Sequence, residues 1–153
     1  MNRDHEWDIY RVLVDYVDAI DCRDMDRVGR CFAPEATANY AGNDVGPGRS
    51  AIVDYLTSHS TSRASTHLLG NVRVLDAENG CATAHSIVTA THVIDDDRST
   101  RLSIRGLRYV DELARIDGSW QITHRVHQPI WATLVEGEFL DPAAPTIRQR
   151  GEQ

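Results

Sequence analysis

A histidine in the segment STHLLGN, residues 65–71, raises the first question of chemistry, because His67 stands beside two leucines at the start of a predicted strand. An imidazole at such a position packs in the core, binds a metal ion or carries a proton. Its ordinary pKa of about 6.5 lets it gain and lose a proton near neutral pH. Taken alone, a histidine bonded to backbone at a sheet edge is the simpler interpretation.

Asp21 is the second candidate, because the segment DAIDCRD places it at the end of the first predicted helix. The helix macrodipole disfavours a carboxylate at a C-terminal end, so another group should hold it there. A buried histidine would do so, whereas a solvent-exposed acid is the alternative. Tyr16 precedes Asp21 by five residues, about 140° around an ideal helix. The two therefore share a site only if the helix end bends or the cavity is wide.

Metal and lysine chemistry are disfavoured by the residues available. His85 and His92 are seven residues apart, which puts them on opposite faces of a straight strand, so they are poorly placed to share a metal. All 16 basic residues are arginine, which excludes a lysine Schiff base. Neither a G-x-S-x-G nucleophile motif nor a phosphate loop occurs. We expect no metal site.

Two predicted strands carry further polar residues that face either a cavity or solvent. Counting by twos from His92, one face of HSIVTATH is small and mostly apolar, with Ala90, Val88 and Ser86. That face suits a ligand cavity and equally suits core packing. If Arg125 in QITHRVHQPIW points inward, it needs a carboxylate or an anionic substrate, so a surface arginine is the simpler interpretation.

The elements that must position these residues fall into two groups, which together predict an α+β fold. Apolar residues at helical spacing predict helices over 6–21, 23–32 and 50–60, with Pro34 ending the second and Ser50 as a possible N-cap of the third. A short strand, 36–40, and a glycine-rich loop, 41–48, lie between them. Four long strands are predicted over 66–76, 80–94, 100–115 and 119–131, with hairpin turns at Asn79-Gly80 and Asp117-Gly118.

Composition limits the class of protein and of partner. The 153 residues suit one domain, and a net charge of −7 argues against nucleic acid. The odd number of cysteines, Cys22, Cys31 and Cys81, is not typical of a disulfide framework. The charged start MNRDHEWDIY and the lack of a long apolar run predict a cytoplasmic protein without a membrane partner.

The order of these features resembles the nuclear-transport-factor-2-like superfamily, in its SnoaL-like, scytalone-dehydratase-like branch. The resemblance covers roughly residues 7–131 and lies in YVDAIDCRDMDRVGRCFAPEATANY, GRSAIVDYL, STHLLGN, RGLRYVDELARIDGSWQITHR and Trp131. It implies a single domain over 1–135, followed by a tail over 136–153. The implied fold is a cone, in which a curved mixed or antiparallel sheet wraps around three N-terminal helices and leaves a pocket at its open end.

The resemblance also implies a site and a chemistry. Asp21 and His67 would form a general-base pair, with Tyr16 and Arg125 as further catalytic residues. The residues implied to bind substrate are Tyr40, His92, Trp131, Val110 and Glu112. The implied function is a cofactor-independent lyase, dehydratase-like, acting on a small cyclic or polyketide-like molecule in an apolar pocket.

Several alternatives stay open under the same resemblance. They are an isomerase or cyclase that uses the same pair, a non-catalytic domain that binds a small molecule, and the small subunit of a ring-hydroxylating oxygenase. A homo-oligomer is expected, with a trimer favoured over a dimer.

Overall fold

The computed structural model describes residues 3–95 and 99–140, and within these ranges the chain forms three helices and six strands. The helices are α1 (Arg3–Asp21), α2 (Met25–Arg30) and α3 (Arg49–His59). The strands are β1 (Phe32–Tyr40), β2 (Asn43–Val45), β3 (Ala64–Glu78), β4 (Cys81–Asp95), β5 (Thr100–Ile116) and β6 (Ser119–Glu136). The predicted order of helices followed by long strands is confirmed.

The six strands form one mixed sheet in the order β2-β1-β6-β5-β4-β3. Strands β3 to β6 form an antiparallel meander, and β1 adds to β6 in parallel. The two predicted hairpin turns are present, and both central residues of each have positive φ, at Asn79-Gly80 and Asp117-Gly118. The arrangement is the predicted α+β fold, in which one mixed sheet packs against the N-terminal helices.

One face of the sheet packs against the helices and forms the core. The apolar stripe of α1 is buried there through Ile9, Leu13 and Tyr16. The inner face of β4 carries Ala84, Ser86, Val88 and Ala90, all at most 2% exposed. These side chains are small, so the sheet keeps room beside them for larger groups from its neighbours.

The region between α2 and α3 differs from the prediction. Residues 23–32 do not form one helix, because α2 ends at Arg30 and Phe32 already lies in β1. Pro34 does not stop a helix. It is an exposed residue of β1, in the irregular stretch where β1 leaves its pairing with β6, so its missing N–H costs no ladder bond.

Three further boundaries differ from the prediction. Ser50 does not cap α3, since the helix begins at Arg49 and Gly48 occupies the N-cap position with a φ of 110°. Part of the predicted loop 41–48 forms the short strand β2. Strand β6 continues past residue 131 to Glu136, into the segment predicted to be tail.

The remaining sequence predictions concern cysteines and the tail. Cys22, Cys31 and Cys81 are free thiols, as expected. The Gly137 N–H donates to the carbonyl of Thr100, which extends the β5–β6 pairing by one position, and the Phe139 ring then lies 3.9 Å from the Arg63 guanidinium at the start of β3. The rest of the predicted tail, residues 141–153, lies outside the described residues. None of the helices in the described ranges is long and apolar enough to cross a membrane.

Candidate active site

Rows of paired residues across the inner face of the sheet place the candidate site. Directly paired residues on neighbouring strands project to the same face. One such row runs His67–Ala90–Arg105–Ala132 across β3, β4, β5 and β6. A second row runs Ser86–Tyr109–His127–Tyr40 and reaches β1. Both rows contribute side chains to one cavity between the sheet and the helices.

Asp21 and His67 meet, as the sequence hypothesis requires. The Nδ1 atom of His67 lies 2.6 Å from one carboxylate oxygen of Asp21, and the backbone N–H of His67 donates to the other at 2.7 Å. The Ser65 hydroxyl donates a third hydrogen bond to the same carboxylate at 2.8 Å. These bonds hold the acid at the end of α1, where the macrodipole disfavours it.

This geometry sets the proton positions on the imidazole ring. A carboxylate only accepts hydrogen bonds, so Nδ1 carries a hydrogen and the neutral ring keeps its lone pair on Nε2. The His67 side chain is 7% exposed and lines a cavity of about 390 Å³. An imidazole held in this tautomer beside a carboxylate can accept a proton at Nε2 while the carboxylate stabilises the resulting cation.

The cavity is mostly aromatic, histidine and aliphatic in character. Its base is formed by the sheet and its sides by α1, the β1–β2 turn and α3. The lining residues are Tyr16, Ile20, Met25, Tyr40, Ala41, Asn43, Tyr55, Leu56, His59, Ser60, His67, His92, Arg105, Leu107, Tyr109 and His127. Tyr16, Tyr40, His67 and His92 are therefore brought together as the sequence resemblance implies.

His92 faces the cavity beside the pair, on the face predicted for it. Its ring lies edge-on to that of His67, with centroids 5.5 Å apart, and its Nδ1 lies 3.3 Å from the Ser62 hydroxyl. Burial, followed by the charges of His67 and Arg105, lowers the pKa of His92 to about 4. His92 is therefore neutral at pH 7 and can serve as a hydrogen-bonding group for a ligand.

Tyr16 and Tyr40 place two phenol groups on the cavity wall. Their hydroxyl oxygens are 3.5 Å apart, and the Tyr40 ring stacks on Tyr55. Burial, with the nearby Tyr16, raises the pKa of Tyr40 well above its usual value of 10. Tyr40 therefore stays protonated across the physiological range and can donate a hydrogen bond to an oxygen in the cavity.

Arg125 points inward and meets a carboxylate, which is one of the two partners expected for a buried arginine. It does not line the cavity, which corrects both the surface interpretation and its implied place among the catalytic residues. Its side chain is fully buried and forms two hydrogen bonds with Asp111, at 2.6 and 2.8 Å. The guanidinium lies 3.9 Å from the Tyr16 ring centroid and 4.3 Å from that of Tyr109. Arg125 is thus neither a surface residue nor a group that touches substrate, but a support behind two tyrosines of the cavity wall.

The two β5 residues that the resemblance assigned to substrate binding lie one position away from the residues that point inward. Val110 is half-buried and Glu112 is exposed, both on the outer face, whereas Tyr109 and Asp111 point inward. Because strand side chains alternate, a shift of one residue moves the assignment to the other face. Neither Val110 nor Glu112 can touch a ligand in this cavity.

Trp131 is also separate from the cavity. It is 51% exposed, pairs with Gly106 and has its indole directly over the Gly106 Cα. It lines a neighbouring depression of about 570 Å³, which shares Arg105, Leu107 and His127 with the cavity. The resemblance implied that Trp131 lines the substrate cavity, whereas it lines the depression beside that cavity.

Sequence reasoning missed several cavity residues, three of which the row pattern explains. Tyr109 and His127 are direct partners across β5 and β6, and the centroid of the His127 ring lies 5.5 Å from that of Tyr109 and 5.5 Å from that of Tyr40. Arg105 shares a row with His67. Tyr55 lies on α3, and its position relative to the sheet depends on tertiary packing. Alternation in RGLRYVD was the available signal for Arg105 and Tyr109.

A metal centre is not indicated. Among residues 3–95 and 99–140, no group of three or more His, Cys, Asp or Glu side chains is placed to hold an ion. His85 and His92 lie on opposite faces of β4, which agrees with the spacing argument.

Comparison with known proteins places the chain in a family. The SnoaL-like domain family matches residues 3–126. Uncharacterized proteins of Mycobacterium tuberculosis and Mycobacterium bovis are each 31% identical over 121 residues, which cover 78% of this chain and 81% of theirs.

Solved structures show the same fold at low identity. A candidate scytalone dehydratase of Novosphingobium aromaticivorans is 22% identical with a TM-score of 0.77, covering 94% of this chain and 95% of its own. A hexachlorocyclohexane dehydrochlorinase of Novosphingobium barchaimii is 16% identical with a TM-score of 0.79, covering 91% and 95%. The chain is therefore a member of the SnoaL-like domain family, within the nuclear-transport-factor-2-like superfamily.

Proposed function

We propose that this protein is a cofactor-independent lyase, dehydratase-like, in which His67 removes a proton from a carbon atom of a small cyclic or polyketide-like substrate. The observation that carries the proposal is the pair of hydrogen bonds that the Asp21 carboxylate accepts from His67, one from the ring Nδ1 and one from the backbone N–H. With Nδ1 bonded to Asp21, Nε2 is the ring nitrogen left to act in a cavity whose lining is largely apolar, where a general base is effective.

The proposed elimination needs one base and one acid. His67 Nε2 takes the proton, the C–H electron pair forms the new double bond, and the bond from the neighbouring carbon to its hydroxyl breaks. The hydroxyl leaves as water after receiving a proton, and Tyr40 is the proposed donor because its hydroxyl stays protonated. To complete the cycle, the imidazolium of His67 releases the substrate's proton and the Tyr40 phenolate regains one, and until then the Tyr16 hydroxyl, 3.5 Å away, stabilises that phenolate by a hydrogen bond. Asp21 stabilises the imidazolium of His67 in the interval.

The names of two structural neighbours agree with this chemistry. A dehydratase removes water and a dehydrochlorinase removes hydrogen chloride, and both reactions begin with loss of a proton beside a leaving group. Those activities belong to the neighbours, and they support elimination as the first reaction type to test here.

Isomerisation or cyclisation is the second candidate, favoured by the tyrosine pair. Proton removal is the same first step, and the hydroxyls of Tyr16 and Tyr40 can deliver a proton to a different atom of the intermediate. Product analysis separates these reactions from elimination. A domain that only binds a ligand has no need for a histidine fixed at two points, so the pair favours an enzyme.

The test is a proton-abstraction assay that does not require the natural substrate. Nitrobenzisoxazole opens to a coloured phenolate when a base removes its ring proton, and it is small enough for the cavity. We expect the wild-type protein to accelerate this reaction over free imidazole at equal concentration. The rate in His67→Ala should be at least about tenfold lower than in the wild-type protein, since general-base catalysis typically contributes 10²–10⁴-fold.

The matched control is His85→Ala, which removes a half-buried histidine from the outer face of the same sheet. That variant should retain the wild-type rate. Unchanged turnover in His67→Ala, with the fold verified by circular dichroism, would refute the assignment of His67 as the base.

A further inference from the structure

Arg105 lies in the same row of the sheet as His67, with only Ala90 between them. Two strand spacings separate the backbones of the two residues, which corresponds to about 9–10 Å. Both side chains line the same cavity of about 390 Å³, whereas Ala90 is fully buried and is not part of its lining. A ligand the size of one or two fused rings can therefore touch the imidazole and the guanidinium at the same time.

Arg105 is a solvent-exposed residue of the cavity lining, and its charge has no counter-charge within residues 3–95 and 99–140. Its Nε donates a 3.3 Å hydrogen bond to the Ser103 hydroxyl, which orients the guanidinium. Among the residues that the structure describes, no carboxylate forms an ion pair with it, in contrast to Arg125 with Asp111. The direct partners of Arg105 on β4 and β6, Ala90 and Ala132, leave its guanidinium nitrogens accessible.

The groups around Arg105 are neutral, so the cavity keeps its positive charge at that wall. Burial lowers the pKa of both His92 and His127 to about 4, and the Arg105 charge contributes to each shift. The carboxylate of Asp21 is already engaged by Ser65 and by His67. Arg105 also borders the neighbouring depression, so the guanidinium can be reached from two sides.

We propose that Arg105 binds a carboxylate of the substrate, and hence that the substrate is a cyclic carboxylic acid. The ring occupies the cavity between these two residues, with its reactive C–H at His67 and its carboxylate on Arg105. An arginine suits this role because its planar fork of N–H groups matches a carboxylate. The inference rests on the proposed function for the identity of the cavity as a substrate site, and its test uses binding rather than turnover.

The experiment compares two probes that differ in charge, naphthoate and naphthamide, by isothermal titration calorimetry at low ionic strength. Charge-assisted hydrogen bonds are stronger than neutral ones, so wild-type protein should bind naphthoate about tenfold or more tightly than naphthamide. In Arg105→Gln the two probes should bind equally. Arg108→Gln, an exposed arginine on the outer face of the same strand, should keep the preference.

Each remaining outcome counts against the proposal. Equal affinity for the two probes in the wild-type protein, including no binding of either, overturns it. A preference that survives in Arg105→Gln, or that disappears in Arg108→Gln, also overturns it. His67→Ala should keep the preference for naphthoate, so a failure of the base assignment is distinguishable from a failure of carboxylate binding.

Discussion

The buried pair of Arg125 and Asp111 gives the sharpest prediction about stability. Both side chains are completely buried, and the carboxylate accepts two hydrogen bonds from the guanidinium. Replacing Asp111 with alanine leaves an arginine without a counter-charge in the core. Removing one partner of such a pair typically costs about 3–5 kcal/mol, because the remaining charge stays desolvated.

The surroundings of Arg125 place the expected loss at the lower end of that range. The Tyr16 and Tyr109 rings lie 3.9 and 4.3 Å from its central carbon, so cation–π attraction persists after the carboxylate is gone. We therefore expect Asp111→Ala to lose about 3 kcal/mol of unfolding free energy. For a chain of this size each kcal/mol lowers Tm by about 2–4 °C, so Tm should fall by roughly 6–12 °C.

Thermal and urea unfolding followed by circular dichroism measure this loss. Asp18→Ala is the control, because it breaks a surface pair with Arg27 and should lower the unfolding free energy far less than Asp111→Ala does. The double variant Asp111→Leu with Arg125→Met should recover much of the stability, since it leaves no unpaired charge. A loss below about 1 kcal/mol in Asp111→Ala would refute the reasoning that the buried charge depends on its partner.

Two other predictions concern pH and packing. The folded-state pKa of both His92 and His127 is about 4, below the ordinary 6.5, mainly through burial. The unfolded chain therefore binds more protons at acid pH, and stability should fall between about pH 6.5 and 4. Urea midpoints at pH 7 and pH 5 measure this loss of stability. The loss should be smaller in His127→Gln, and an equal loss in that variant would contradict the lowered pKa of His127. Gly106→Ala places a methyl group against the Trp131 indole and should cost about 1–3 kcal/mol, a cost that Trp131→Ala in the same chain should relieve. Unchanged unfolding of Gly106→Ala contradicts the tight contact.

The fold and the central pair were accessible from sequence because they depend on strong local signals. Helical spacing in α1, long alternating strands and the two glycine turns are short-range features, and the structure contains all of them. The contact between Asp21 and His67 could be predicted only from the family resemblance, because the two bonded residues are 46 positions apart in the sequence.

The position of Arg125 could not be read from alternation, because β6 carries a bulge. Glu112 pairs with His124 while Leu113 pairs with Ile122, so Thr123 is an extra residue in β6. The bulge turns both Ile122 and Arg125 inward, although they are three positions apart. A straight strand predicts opposite faces for them. The same one-residue uncertainty put Val110 and Glu112 in the site in place of their neighbours.

Pro34 and Ser50 were misread for a different reason. Each residue type has a strong local preference, proline for ending helices and serine for capping them. In the folded chain, tertiary pairing with β6 begins two residues before Pro34, and Gly48 takes the N-cap position of α3. Long-range contacts of this kind override local preference and leave no trace in a short window of sequence.

The parallel pairing of β1 with β6 has a consequence for how the chain reaches its native state. Thr37 bonds to His124 across 87 positions, so the wall that carries Tyr40 closes only after β6 has been synthesised. Forming a contact between residues so distant along the chain costs loop-closure entropy, so this pairing forms more slowly than the local hairpins. During translation the early helices must therefore wait for the last strand, and a chain that stops before β6 has no cavity to offer a ligand.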